Sequence, residues 1–133
     1  MTDAPTIPDS HLDLLTAGTV VLSTSNADGT IQSTAIWVHY GDDGVLRTSL
    51  ANARQKYRNL RARPDQATIC AISTTDPFHT LEIRASVEFA DDTDRSFFAE
   101  LLAPYGHTLE TFSTQAAEDR QIVTFRPTRI RAS

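Results

Sequence analysis

A chain of 133 residues is one domain in length and long enough to bury a core, and its 40% hydrophobic and 22% charged residues are ordinary for a globular protein. A formal charge of −5 and a pI near 5.2 exclude a general binder of nucleic acid or anionic membrane, so any anion site must be local. A single cysteine, Cys70, rules out an internal disulfide, and with no signal peptide or bilayer span in view the expected location is the cytoplasm.

Residues 1–8, with Pro5 and Pro8, read as a loose arm ahead of a single domain over 9–133. Asp9 or Ser10 caps a short helix through Leu12, Leu14 and Leu15 that ends near Gly18. Thr19–Ser25 and Ile31–Tyr40 then flank "NADG", a hairpin signal. A "GDDG" turn leads to Val45–Leu50, and the three segments read as an antiparallel meander. Asn52 is the expected N-cap of a helix over Ala53–Arg63, which Pro64 stops. Its apolar stripe is narrow, with only Ala53, Tyr57 and Leu60.

The strand Gln66–Ser73 and the loop "TTDPFHT" precede Leu81–Ala90, where Leu81, Ile83, Ala85, Val87 and Phe89 alternate with polar residues. A second helix, starting near Asp91 and Asp92, carries Phe97, Phe98, Leu101, Leu102 and Tyr105 at helical spacing. Residues 106–119 read as a loop with a short helix. "RQIVTFRPTRIRA" is the last strand, with Pro127 marking an edge or a bulge.

Six strands interrupted by helices make a mainly β fold, a small six-stranded antiparallel barrel. Ile31–Tyr40 is apolar on both faces, Ile36 and Val38 on one and Ile31, Ala35 and Trp37 on the other. One face fills the barrel, so the other needs a ligand or a second subunit. The same holds for "ATICAI", and a homodimer supplies that cover.

Common catalytic signatures are missing from the chain. The five glycines never take the GxGxxG spacing, and there is no P-loop and no GxSxG elbow. The histidines at 11, 39, 79 and 107 lack metal-ligand spacing, and "FADDTD" lacks the glycine and distal glutamate of a calcium loop, so no metal site is expected. Cys70, within "ATICAI", reads as an inert buried thiol.

One pattern does point to a ligand. Arg54, Lys56 and Arg58 crowd the start of a helix, where the backbone already carries partial positive charge, and no acid occurs between Leu46 and Arg63. A bound anion accounts for this: helix N–H groups, Ser49, Arg54 and Lys56 would together hold a phosphate. The alternative is a solvated basic face. Arg61 and Arg63 suit the negative end of the helix, and Arg58 stays unassigned.

"IQSTAIWV", "VLRTSLANARQKYRNLRARP" and "FHTLEIRASVEF" resemble the flavin-binding split-barrel proteins related to pyridoxamine 5′-phosphate oxidase, and more narrowly the actinobacterial branch that uses the deazaflavin coenzyme F-420. The resemblance spans about residues 12–131. It implies a homodimeric split barrel with cofactor sites at the subunit interface. The second strand's backbone would lie along the flavin ring, placing Gln32, Ser33, Thr34, Ala35 and Ile36 beside it. Ser33 and Thr34 alternate, so only one of their side chains can face the ligand. Ser49, Arg54 and Lys56 match the phosphate-holding positions, and Asn59 supports the corner. The loop Asp76–Thr80 would reach the other subunit's site with Phe78 or His79.

Many relatives have proline where this chain has Ala35. The C-terminal substrate-binding segment of pyridoxamine-phosphate oxidases proper has no counterpart after Arg126. The resemblance therefore implies an F-420-dependent reductase that transfers a hydride to a small conjugated or aromatic molecule, with no catalytic acid or base assigned. The alternatives are an FMN-dependent oxidase or reductase of the same fold and a non-catalytic flavin or deazaflavin carrier.

Overall fold

The computed structural model describes residues 5–16 and 18–133. Of the expected arm, residues 1–4 lie outside the described residues, while Ile7 is buried in the main core. Asp9–Leu15 form a 3-10 helix rather than an α-helix, without a side-chain cap from Asp9 or Ser10. It turns Leu14 and Leu15 inward and ends at Thr16, in extended conformation; Ala17, just before the expected end, lies outside the described residues. No helix among the described residues is long and apolar enough to cross a membrane.

The body is one antiparallel sheet of β1 (Thr19–Ser25), β2 (Ile31–Trp37), β3 (His39–Tyr40), β4 (Leu46–Ala51), β5 (Ala67–Ile72), β6 (Thr80–Asp91) and β7 (Arg120–Ala132). The spatial order is β2-β1-β5-β6-β7-β4-β3. Its two edge strands, β2 and β3, are consecutive in the chain and separated by Val38 alone. The sheet must therefore curl until both edges meet at that residue, which makes it a split barrel. The expected strand Ile31–Tyr40 is thus broken at Val38, giving seven strands instead of six. The expected meander holds at both junctions, β1 with β2 and, at His39↔Arg47 and Tyr40↔Leu46, β3 with β4, while the longer ladder of β4 is with β7.

Alternation fills the interior. Val20 and Leu22 of β1, Ile69 of β5, Leu81 and Ile83 of β6, and Val123 and Phe125 of β7 are almost fully buried. Where β6 meets β7, Arg84 pairs with Arg129 but Ala85 pairs with Pro127. Thr128 is the extra residue, so Pro127 does mark a bulge, where its missing N–H interrupts the ladder least.

Two helices flank the barrel. The first, α1 (Gln55–Ala62), buries Leu60 and packs Tyr57 edge-on against Phe89. Its N-cap residue is Arg54, not Asn52, and no side chain caps it. Asn52 is held in the corner instead: its N–H donates to the Asp119 carbonyl, and its Oδ1 is buried without a partner among the described residues. The second, α2 (Ser96–Leu102), starts later than expected because β6 runs on to Asp91. Asp92 then accepts the N–H groups of Phe97 and Phe98 at 3.1 and 2.9 Å, and Asp94 accepts that of Ser96 at 3.0 Å. Phe97, Phe98, Leu101 and Leu102 form a second core with Trp37, Leu109, Phe112 and Ile122. A short helix, α3 (Ser113–Ala116), lies within the loop expected over 106–119.

Candidate functional site

β2 and β4 are neighbours around the barrel only near Val38. Thr48 Oγ1 donates to the Trp37 carbonyl at 2.7 Å, and beyond this bond the strands part. A cavity of about 440 Å³ fills the gap, a size that suits a small ligand. Gln32–Trp37 without Ser33 line one wall and Thr48–Ala51 the opposite wall, while Phe98, Leu101, Leu102 and Phe112 add an apolar side. Each strand presents its unladdered backbone edge to this space, since β1 and β7 occupy the other edges.

The open end is cationic. Arg54, Lys56 and Arg120 all line it, beside the uncapped start of α1. Lys56 Nζ donates to Thr34 Oγ1 at 3.3 Å, reaching from helix to strand. Burial, then the neighbouring Arg54 and Arg120, pull the Lys56 ammonium below the usual lysine range. Burial also lowers Arg120, with Glu118 opposing and Arg54 reinforcing that shift. The Arg54–Glu118 ion pair, at 3.2 Å, offsets part of this charge. A phosphate entering here would meet N–H donors and cations already in place.

Arg120 is the residue the sequence reasoning missed. Its Nε donates to Ser49 Oγ at 2.7 Å, its Nη1 to the Gln115 carbonyl at 3.1 Å, and its guanidinium lies 3.9 Å over the Phe98 ring. Ser49 therefore orients a cation through its oxygen, while its hydroxyl proton stays available toward the cavity. The available signal was a single arginine at the start of the last strand, seventy-one residues from Ser49.

Gln32, Thr34, Ala35, Ile36, Ser49, Arg54 and Lys56 come together around the cavity. Ser33 does not: it faces the other side of β2, with its Oγ 2.8 Å from Ser23 Oγ. The Ser33–Thr34 alternation thus resolves in favour of Thr34. Asn59 lies behind the corner, buried, with Nδ2 donating to Thr24 Oγ1 and Asn26 Oδ1 and Oδ1 accepting from Gln55 Nε2. It supports the fold and has no free atom to offer a ligand. Arg58 braces the same corner through the Ala53 carbonyl and Gln55 Oε1. Phe78 and His79 lie away from the cavity of their own chain. Phe78 is 83% exposed, and His79 Nε2 lies 3.1 Å from Asp13.

Trp37 does double duty in the wall. It stacks on Tyr105, with centroids 4.0 Å apart and 9° between planes, and meets Phe112 edge-on at 5.8 Å. Among the described residues, no aspartate, glutamate, histidine, tyrosine or cysteine lines the cavity.

Three solved structures place this geometry among known proteins. An F420 reductase is 31% identical, covers 94% of this chain and 98% of its own, and superposes with a TM-score of 0.80. A conserved hypothetical protein from Mycobacterium tuberculosis is 18% identical over 98% of this chain and 89% of its own, with a TM-score of 0.75. The haem storage protein HutZ from Vibrio cholerae is 17% identical over 86% of this chain and 84% of its own, with a TM-score of 0.63. At such low identity the last two show the fold alone. No curated protein matches the chain. The sequence pattern of the family described as pyridoxamine 5′-phosphate oxidase matches residues 7–133. The chain belongs to the pyridoxamine 5′-phosphate oxidase family and has a split-barrel fold.

Proposed function

We propose that this protein is an F-420-dependent reductase acting as a homodimer on a small conjugated or aromatic acceptor. The observation that carries the reading is the convergence of Arg54, Lys56 and Arg120 on one end of the split, in a chain 31% identical to a protein named F420 reductase.

The residues present fit a flavin-like group. Gln32 Oε1 is buried on the cavity wall without a hydrogen-bond partner among the described residues, the opening a polar ring edge would fill. The unladdered edge of β2 offers backbone groups along the ring, and the cations offer a seat for the phosphate. When bound, the reduced deazaflavin would supply the hydride from its C5. The chain's part is to bind, orient and exclude water. Thr34, Ala35 and Ile36 fix the ring plane against β2, while Trp37, Phe98, Leu101 and Phe112 form the apolar side on which an acceptor can lie. With no carboxylic acid, imidazole, phenol or thiol among the described residues lining the cavity, the accompanying proton would come from solvent or from the Lys56 ammonium.

The dimer reading rests on the outer face. Val21, 40% exposed, lies across from Ala35 on one side and Cys70 on the other, with Ile31 and Ile72 also exposed nearby on β2 and β5. A second copy would cover this apolar row.

The test is anaerobic titration of the cofactor-free protein with F-420 and with FMN, then mixing with reduced F-420 and a panel of acceptors while absorbance is followed. The expected result is tighter binding of F-420 and acceptor-dependent reoxidation. Tighter FMN binding with oxygen-consuming turnover would replace the reading with a flavin oxidase. Binding without hydride transfer to any acceptor would make the protein a carrier.

A further inference from the structure

Building on that cofactor reading, we infer that Glu118 sets which phosphate the site prefers, favouring a bridging diester with one negative charge over a terminal monoester with nearly two. Glu118 Oε1 lies 3.2 Å from Arg54 Nη2, and its side chain is only 26% exposed. No other carboxylate among the described residues is paired with Arg54, Lys56 or Arg120. Asp92 also acts on Arg120, but its two oxygens are engaged by the N–H groups of Phe97 and Phe98.

The carboxylate is carried on anchored backbone. Arg95 Nε donates to the Ala116 carbonyl at 2.8 Å, Arg120 Nη1 donates to the Gln115 carbonyl at 3.1 Å, and the Asn52 N–H donates to the Asp119 carbonyl at 2.9 Å. These bonds hold residues 115–119 from both sides, so Glu118 stays paired with Arg54 beside the cavity rather than within its lining.

The two cofactors of this fold present different groups there. FMN ends in a phosphate monoester, which carries about −1.5 to −2 at pH 7. The phosphate of F-420 bridges the ribityl arm to an oligoglutamate tail, so it is a diester with one ionisable oxygen. Glu118 already neutralises part of Arg54, which leaves less of that cation to balance the second charge of a monoester. Discrimination of this kind is a difference of affinities set against the wrong ligand.

The experiment is equilibrium titration of the full chain with FMN and with F-420, comparing the wild type with Glu118→Gln and Glu118→Asp. The fluorescence of Trp37, the chain's sole tryptophan, reports binding at the cavity wall. The ratio of the FMN to the F-420 dissociation constant is expected to fall about five-fold in Glu118→Gln, the scale of a partly exposed ion pair. Glu118→Asp, which keeps the charge, should stay near the wild-type ratio. An unchanged ratio in Glu118→Gln, or equal tightening of both cofactors, would overturn the role of Glu118 while leaving the cofactor site intact. Wild-type protein that binds neither cofactor would overturn the cofactor reading itself, and this inference with it.

Discussion

Thr48 donates its hydroxyl to the Trp37 carbonyl at 2.7 Å, and this single bond marks where the barrel opens. Thr48 is almost fully buried, so its hydroxyl has no water to fall back on. Thr48→Val keeps the shape and removes the donor. It should cost about 1–2 kcal/mol of stability, seen as a lower urea midpoint with an unchanged slope. A variant as stable as the wild type would show that the split is held by packing alone.

Removing both helix-start cations, Arg54→Ala with Lys56→Ala, should weaken cofactor binding by several kcal/mol, since a hydrogen bond to a charged group contributes about 1.5–3. Calorimetric titration of the folded double variant is the check. Unaltered affinity would remove these residues from the phosphate seat.

Arg120 should not tolerate lysine. An ammonium cannot reach Ser49 Oγ and the Gln115 carbonyl while lying flat over Phe98. Arg120→Lys should therefore lose roughly ten-fold or more in cofactor affinity, close to the loss in Arg120→Ala. Full rescue by lysine would mean that only the charge counts.

Lys56 makes binding depend on pH. In the free protein its pKa is lowered by burial and by Arg54 and Arg120. A bound phosphate counters the two arginines and raises it. Affinity is thus greatest below the free-protein value and declines as pH rises through it, with proton uptake on binding between the free and bound values. Dissociation constants measured from about pH 6 to about pH 10 should show this alkaline loss. Lys56→Met should bind more weakly and lose the slope.

Asn59 should behave as a stability residue. Its amide links α1 to Thr24, Asn26 and Gln55 in a buried setting. Asn59→Ala leaves those partners unsatisfied and should cost about 2–4 kcal/mol, read by thermal or urea unfolding. A large loss of cofactor affinity without loss of stability would instead give Asn59 a direct binding role.

What could be read from the sequence was whatever is local. Leu81–Phe89 alternates because one face is buried, and Arg120–Ala132 was legible to both ends, with Pro127 at the bulge. The cation cluster at α1 stood out because no acid dilutes it. The break at Val38 was not legible, since it arises only when β3 and β2 are claimed by different partners. Asn52 looked like a cap from its neighbours, but the Asp119 carbonyl holds its N–H in a turn ahead of the helix. Arg120 escaped notice because the groups that orient it come from β4, α2 and α3. Residues gathered by topology leave no mark in sequence spacing.

The parting of β2 from β4 has a consequence for how the protein survives without a ligand. Unladdered strand edges invite foreign strands and so aggregation, and lysine is a common guard against it. Here both open edges turn toward one another, and Lys56, Arg54 and Arg120 stand at the gap between them. An intruding peptide would have to strip water from all three. The charges suited to attracting a phosphate would thus also discourage an intruding strand, because pairing with these edges would desolvate them.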